Sequence, residues 1–147
     1  EVQSGGQIEI AAADLGRIGR LVLDGGQWGG EQLLPKEWIQ EMLTPRRNLG
    51  GPVAYGYLWW FRPVRSPRGW EPSWSMSGKG GNIVALLRDH DAVITVQSAN
   101  YGRKDAHDRS YALVEQVLAI LPVPEDRPER PPPEDHTVTG HPQPPAP

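Results

Sequence analysis

The 147-residue chain contains no cysteine. This absence excludes disulfide bonds, a thiol nucleophile and thiolate metal ligands, and it leaves the cellular compartment open because oxidising and reducing compartments both accept such a chain. Long hydrophobic runs are also missing, since no stretch approaches the roughly 18 apolar residues that span a bilayer. The chain opens without an initiator methionine or a basic flank followed by an apolar stretch. We therefore expect it to be cut from a longer polypeptide.

The chain has no excess of basic residues. Lys and Arg number 15 against 18 Asp and Glu, a formal net charge of −3, and no run of Lys and Arg occurs. Binding to nucleic acid requires a basic patch, so nucleic acid is not a predicted partner. Neither a metal nor a cofactor is expected, because the histidines lack partners at metal-ligand spacing and are predicted to be solvated. They are His90, His107, His136 and His141.

Three segments have apolar residues at helical spacing. Residues 11–26 form the first predicted helix, and residues 36–43 form the second, which begins after Pro35 in a position that proline favours. The third covers residues 109–121, and its apolar side chains are expected to pack on a sheet. These side chains are Tyr111, Leu113, Val114, Val117, Leu118 and Leu121.

The middle of the chain predicts about four consecutive strands. Residues 55–61, YGYLWWF, have the aromatic composition of one strand, and residues 62–69 are predicted to be a loop. Residues 83–87 and 92–96 are apolar runs joined by a polar turn, which predicts a hairpin with both strands largely buried. Consecutive strands pair most simply in antiparallel order. The predicted fold class is therefore α+β, an antiparallel sheet flanked by helices.

Aromatic residues are concentrated in this middle part. Trp59 and Trp60 are adjacent in one predicted strand, so they must point to opposite faces of the sheet, one towards the core and one away from it. Tyr101 and Tyr111 are interpreted as packing residues.

The composition changes at Pro122. Residues 122–147, PVPEDRPERPPPEDHTVTGHPQPPAP, have almost no apolar side chain to bury and are dense in proline, so they are predicted to be a disordered tail. The predicted division is a folded unit over residues 1–121 and this tail. Extended proline-rich segments suit partners with aromatic-lined grooves, so an interaction protein that acts through the tail is one functional hypothesis.

Lys79 stands between glycines in the stretch SGKGGNIVALL, residues 77–87. A phosphate-binding loop needs Lys followed by Ser or Thr between a strand and a helix, whereas Gly80, Gly81 and a predicted strand follow here. The phosphate-loop interpretation therefore fails. The two that remain open are a solvated lysine in a glycine-rich turn and a lysine that belongs to an active site.

Three stretches occur in an informative order: residues 7–45, then YGYLWWF, then SGKGGNIVALLRDHDAVITVQSANY before a closing helix. Together they resemble the C-terminal part of the β-lactamase-related serine hydrolases. This penicillin-recognising group includes class C β-lactamases, D-alanyl-D-alanine peptidases and esterases. The resemblance covers roughly residues 5–121. It implies the C-terminal portion of a β-lactamase/transpeptidase-like fold and acyl transfer through a serine ester.

The resemblance assigns roles to four residues. Lys79-Gly80-Gly81 matches the third motif of the group, which lies on a sheet strand and supplies a cation for a substrate carboxylate. The small residues beside the cation would let a substrate lie along the strand. The backbone N–H of Asn82 would be one of two oxyanion-hole donors.

The other two motifs of the group are missing. None of the seven serines has lysine three residues later, so the chain contains no S-x-x-K nucleophile; they are Ser4, Ser66, Ser73, Ser75, Ser77, Ser98 and Ser110. Ser98-Ala99-Asn100 has the letters of the second motif but follows the third motif, so Ser98 and Asn100 are interpreted as strand-end and turn residues. Both missing motifs are expected upstream of residue 1, and the chain alone is expected to be inactive.

Two further functional hypotheses thus accompany that of an interaction protein acting through the proline-rich tail. The first is a fragment of a serine hydrolase that acts on a β-lactam, peptide or ester, and the second is a non-catalytic module that binds a carboxylate or peptide through Lys79. A small-molecule or peptide substrate with a carboxylate or ester is the expected partner. Self-association through an incomplete sheet edge is also expected. Localisation is open, and the resemblance favours export to the periplasm or the extracellular space.

Overall fold

The computed structural model describes residues 9–122, so the predicted tail beyond Pro122 lies outside the described residues. Within this range the helices are α1 (Ala12–Leu23), α2 (Lys36–Met42) and α3 (Ala106–Leu118). The strands are β1 (Gln27–Trp28), β2 (Glu31–Gln32), β3 (Arg47–Gly50), β4 (Val53–Tyr55), β5 (Trp60–Phe61), β6 (Val64–Ser66), β7 (Gly69–Glu71), β8 (Trp74–Gly78), β9 (Asn82–Leu87) and β10 (Ala92–Val96). No helix of the described range is long and apolar enough to cross a membrane.

A six-stranded antiparallel sheet forms the centre of the fold. Its strand order is β10-β9-β8-β5-β4-β3, which makes β10 and β3 the two edges within the described range. Hairpins β1–β2 and β6–β7 are separate from this sheet. The α+β class and the antiparallel sheet flanked by helices are as predicted.

Helices cover both faces of β9. One core cluster joins α1 and α2 to Leu86, and the other joins α3 to Ile83, Ala85 and Leu87. Since successive side chains of a strand alternate between faces, the unbroken apolar run of β9 is what a strand buried on both faces requires. Gly19 lets α1 approach the sheet closely, because a Cβ there would stand 2.6 Å from Val93 Cγ1.

Two predictions in the middle of the chain are wrong. Residues 55–61 are not one strand: Gly56 N donates to Trp59 O at 2.9 Å, and Tyr57 and Leu58 form a two-residue turn between β4 and β5. Residues 62–69 contain most of the β6–β7 hairpin instead of a loop. Tyr57 and Leu58 carry no signal for a reversal, since glycine or asparagine is usual in such a turn. Ser66-Pro67-Arg68-Gly69 does have the residues that a type I turn favours, and the prediction of a loop did not use them.

The closing helix differs from its prediction in two ways. It begins at Ala106 instead of residue 109, and not all of its apolar residues face the sheet. Leu113 and Val117 are exposed, whereas Val114 and Leu118 are fully buried. β10 likewise departs from expectation, because all five of its side chains are only half-buried.

Candidate active-site turn and its relatives

Lys79, Gly80 and Gly81 connect β8 to β9. Gly78 O accepts a hydrogen bond from Gly81 N at 3.3 Å, which closes a β-turn with Lys79 and Gly80 at its two central positions. The resemblance implied a strand position for these three residues, and this is wrong, whereas the glycine-rich turn that the sequence left open is present: Gly80 has φ +84° and Gly81 has φ +90°, values that extended L-residues do not adopt. β8 therefore ends at Gly78, and β9 begins at Asn82.

Every carbonyl of the turn from residue 78 to residue 81 has a hydrogen-bond donor. His107 Nε2 lies 3.0 Å from Gly78 O, Asn82 Nδ2 donates to Lys79 O at 2.8 Å, and Asn100 N donates to Gly80 O at 3.1 Å. Gly81 O accepts from Ser110 Oγ at 2.6 Å. The turn is thus fastened to α3 and to the loop after β10, and its backbone is held in one conformation.

The Asn82 side chain both donates and accepts a hydrogen bond. Besides its bond to Lys79 O, its Oδ1 accepts from Ser98 N at 3.0 Å. Asn100 Nδ2 donates to Ser98 Oγ at 2.7 Å, so the interpretation of Ser98 and Asn100 as strand-end and turn residues is confirmed. Sequence reasoning assigned Asn82 only a backbone role and missed this bridge. The oxyanion role of its N–H stays a prediction.

Gly81 and Gly80 admit no side chain. A Cβ on Gly81 would stand 2.7 Å from Ala106 O and 2.8 Å from Ser110 Oγ. A Cβ on Gly80 would stand 2.9 Å from Cε1 of Tyr101, whose ring lies over the turn although it is 62% exposed. The glycines therefore serve close packing as well as the turn conformation.

The Lys79 side chain is exposed, and it makes no ion pair with any residue of the described range. Its ammonium group is thus available to a ligand. Two surface depressions lie elsewhere, one beside Trp28 in the β1–β2 hairpin and one between α1, α2 and Arg88.

Three serines lie inside the fold. Ser73, Ser75 and Ser110 are fully buried, and Ser75 Oγ lies 2.5 Å from Tyr111 Oη. No group of histidine and carboxylate residues in the described range could hold a metal ion.

The prediction that the histidines are solvated is wrong for His90. Its ring is buried, and its Nε2 lies 2.8 Å from Oε2 of the buried Glu71. This contact joins the end of β7 to the turn between β9 and β10. A histidine in a polar turn looks exposed in the sequence, because the hairpin that covers it was not predicted.

Scans against protein-family models and curated proteins find no match. Among solved structures, the chain is similar to the "Putative 6-aminohexanoate-dimer hydrolase from Bacillus anthracis", with a TM-score of 0.55 and 22% sequence identity. The match covers 72% of this chain and 27% of that chain, so this chain spans about a quarter of that protein's length. At this identity the likeness concerns the fold alone. The described residues have a β-lactamase-like fold.

Proposed function

We propose that this chain is the substrate-facing part of a serine hydrolase of the β-lactamase-related group, in which Lys79 binds a carboxylate of the substrate. The observation that carries the proposal is an exposed, unpaired lysine on a turn whose four carbonyls are all bonded. Because the backbone of the turn is already fixed, only the side chain of Lys79 has to be ordered when its ammonium group binds an anion. The β-lactamase-like fold supports the same assignment.

In this proposal the nucleophile comes from polypeptide outside this chain. The buried serines cannot reach a substrate, and no serine stands in an S-x-x-K motif. A serine of that other region would attack the carbonyl and form an acyl ester while the amide, lactam or ester bond of the substrate breaks and its nitrogen or oxygen takes up the serine proton. Water would then hydrolyse the acyl ester, which releases the acid and restores the serine. Asn82 N would donate to the developing oxyanion, and Lys79 would hold the substrate in place. The substrate is a β-lactam, a peptide or an ester with a carboxylate.

The first test treats this chain alone with a fluorophosphonate and with a fluorescent penicillin. We expect its intact mass to be unchanged by both probes. A stoichiometric adduct on any serine would contradict the proposal.

The second test uses a longer polypeptide that joins this chain to its upstream reading frame. We expect S-x-x-K and then Tyr-x-Asn or Ser-x-Asn in that frame, and labelling of the motif serine. Lys79→Ala should slow acylation by carboxylate-bearing substrates about 10- to 100-fold, because one charge-assisted hydrogen bond is lost. Labelling by the fluorophosphonate, which has no carboxylate, should be unchanged. Lys104→Ala is the matched control, since Lys104 is also exposed. Equal effects of the two substitutions on acylation would contradict the assignment of Lys79 to the substrate-binding site.

The second candidate function is a carboxylate- or peptide-binding module without catalysis. It is favoured by the availability of Lys79 in a chain that has no nucleophile motif. Titration of the chain with acyl-D-alanine peptides, followed by NMR, distinguishes the two functions. Lys79-dependent binding by a chain whose reading frame begins near residue 1 would favour the module.

A further inference from the structure

Leu58 has a backbone conformation that leucine disfavours. It occupies the second position of the two-residue turn between β4 and β5 with φ +64°, where glycine or asparagine is usual. Its side chain is 78% exposed, so no packing within the described residues compensates for the strain. A strained, exposed apolar residue points to a role outside the packed domain.

The surroundings of Leu58 form an apolar surface with basic groups beside it. Tyr57 adjoins Leu58 in the turn, and the rings of Tyr57 and Trp38 lie 5.6 Å apart at an interplanar angle of 40°. The Arg46 guanidinium lies 5.9 Å from the centre of the Tyr57 ring and forms an ion pair with Glu41. Both rings are nearly half-exposed. We call Trp38, Tyr57, Leu58 and Arg46 the aromatic platform.

Arg47, next to Arg46 in the chain, adds positive charge that is free to bind an anion. It is exposed on the edge strand β3 and makes no ion pair within residues 9–122. Tilted aromatic rings with cations beside them are the features that bind extended proline-rich segments with acidic residues.

The chain itself contains a segment of this chemistry. Residues 123–147 include nine prolines, and their five acidic residues outnumber two arginines. At about 3.1 Å per residue the segment could reach about 75 Å from Pro122, well beyond the dimensions of a domain of this size. Attachment to the same chain gives a millimolar effective concentration, so modest contacts suffice.

We propose that the aromatic platform binds the proline-rich segment 123–147 of its own chain, with Leu58 and Trp38 against prolines and with Arg47 beside the acidic residues. The platform is separate from the Lys79 turn, and the proposal does not depend on the proposed hydrolase function. Binding within the chain would make this segment a competitor for any external proline-rich ligand.

The test follows cleavage of the full chain by endoproteinase Glu-C after Glu125, Glu129 and Glu134, with mass spectrometry of the released peptides. We expect Leu58→Gly and Trp38→Ala to accelerate these cleavages about tenfold. Trp28→Ala should leave the rates unchanged, since Trp28 is equally exposed but lies in the β1–β2 hairpin. Leu58→Gly relieves backbone strain, so its effect cannot come from unfolding.

Equal cleavage rates in the parent chain and in Leu58→Gly would overturn the proposal. Protection that increases with protein concentration would overturn it as well, since the bound segment would then belong to another copy.

Discussion

Asn82 and Lys79 are joined by a hydrogen bond from Asn82 Nδ2 to the Lys79 carbonyl, with N and O 2.8 Å apart. Since Asn82 Oδ1 also accepts from Ser98 N, one side chain links the turn to the strand end beyond β10. Asn82→Ala leaves both backbone groups without these partners. We expect a loss of about 1–3 kcal/mol in the free energy of unfolding. Urea denaturation measures it, and Asn48→Ala on the exposed edge strand is the control.

Gly81→Ala tests the close contact between the turn and α3. Gly102 has a similar φ of +85° but no atom within 4 Å of a built Cβ, so Gly102→Ala measures the conformational cost alone, about 1–2 kcal/mol. Gly81→Ala should cost at least about 2 kcal/mol more, because its Cβ would overlap Ala106 O. Equal losses in the two variants would show that the turn can move away from the helix.

Leu58→Gly is expected to stabilise the fold. Glycine adopts positive φ without the penalty of about 1–2 kcal/mol that other residues bear, although it gains entropy in the unfolded chain. The net expectation is a gain of about 1 kcal/mol in the free energy of unfolding, measured by urea denaturation. Leu33→Gly is the control, since Leu33 is exposed without positive φ and its replacement should destabilise. A loss in Leu58→Gly would show that contacts of the leucine, such as those proposed with residues 123–147, outweigh the strain.

Because of Tyr111, we expect the folded state to lose stability at alkaline pH. Burial raises the pKa of the Tyr111 phenol above its ordinary value, although the hydrogen bond with Ser75 and the charge of Arg62 act in the opposite direction. The folded state then holds the proton more tightly than the unfolded state. Stability is complete below the ordinary pKa near 10 and falls as the pH rises towards the folded-state value, by up to about 1.4 kcal/mol per pH unit.

Urea denaturation between pH 8 and pH 11 measures this loss. Tyr111→Phe should remove the alkaline loss while it lowers stability at pH 8, because Ser75 loses its buried partner. Tyr101→Phe, at an exposed ring, should retain the loss. An identical pH profile in Tyr111→Phe and the parent chain would assign the effect to another group.

The exposed edge of strand β10 leads us to predict that copies of the chain associate with each other. Its sequence, AVITV, has no charge, proline or bulge, whereas β3 at the other edge has Arg47 and a bulge between Asn48 and Gly50. These features of β3 hinder pairing with another strand, and their absence leaves β10 able to pair. Sedimentation of the chain should show dimers or larger species that Thr95→Lys reduces. A monomer at all concentrations would contradict this prediction.

The parts of the fold that were predictable are those with strong periodicity. The β9–β10 hairpin and α1 have unbroken apolar patterns, and Trp59 and Trp60 point to opposite faces as their adjacency requires, with Trp59 in the core. The β4–β5 turn was not predictable, because its positive φ occurs at a leucine. Tertiary packing, not local preference, sets that conformation.

The assignment of the candidate site residues stays a prediction, and the geometry of their turn was not predictable. The motif letters Lys79-Gly80-Gly81 indicate a site only through a resemblance, and they do not distinguish a strand from a turn. The contacts that fix the turn come from Ser98, Asn100 and Ser110, which are 16 to 29 residues from their partners along the chain. Sequence spacing does not predict such contacts, since they depend on where α3 packs on the sheet.

The hydrogen-bonded carbonyls of the β8–β9 turn determine which polar groups a ligand can use there. The oxygens of Gly78, Lys79, Gly80 and Gly81 are each engaged by a donor, so at least one lone pair of every carbonyl is already used. What Lys79 adds is a charged donor. The turn therefore favours molecules that bring acceptors, such as carboxylate, carbonyl or sulfonyl oxygens. An amine or a guanidinium group at the same place would meet only another cation.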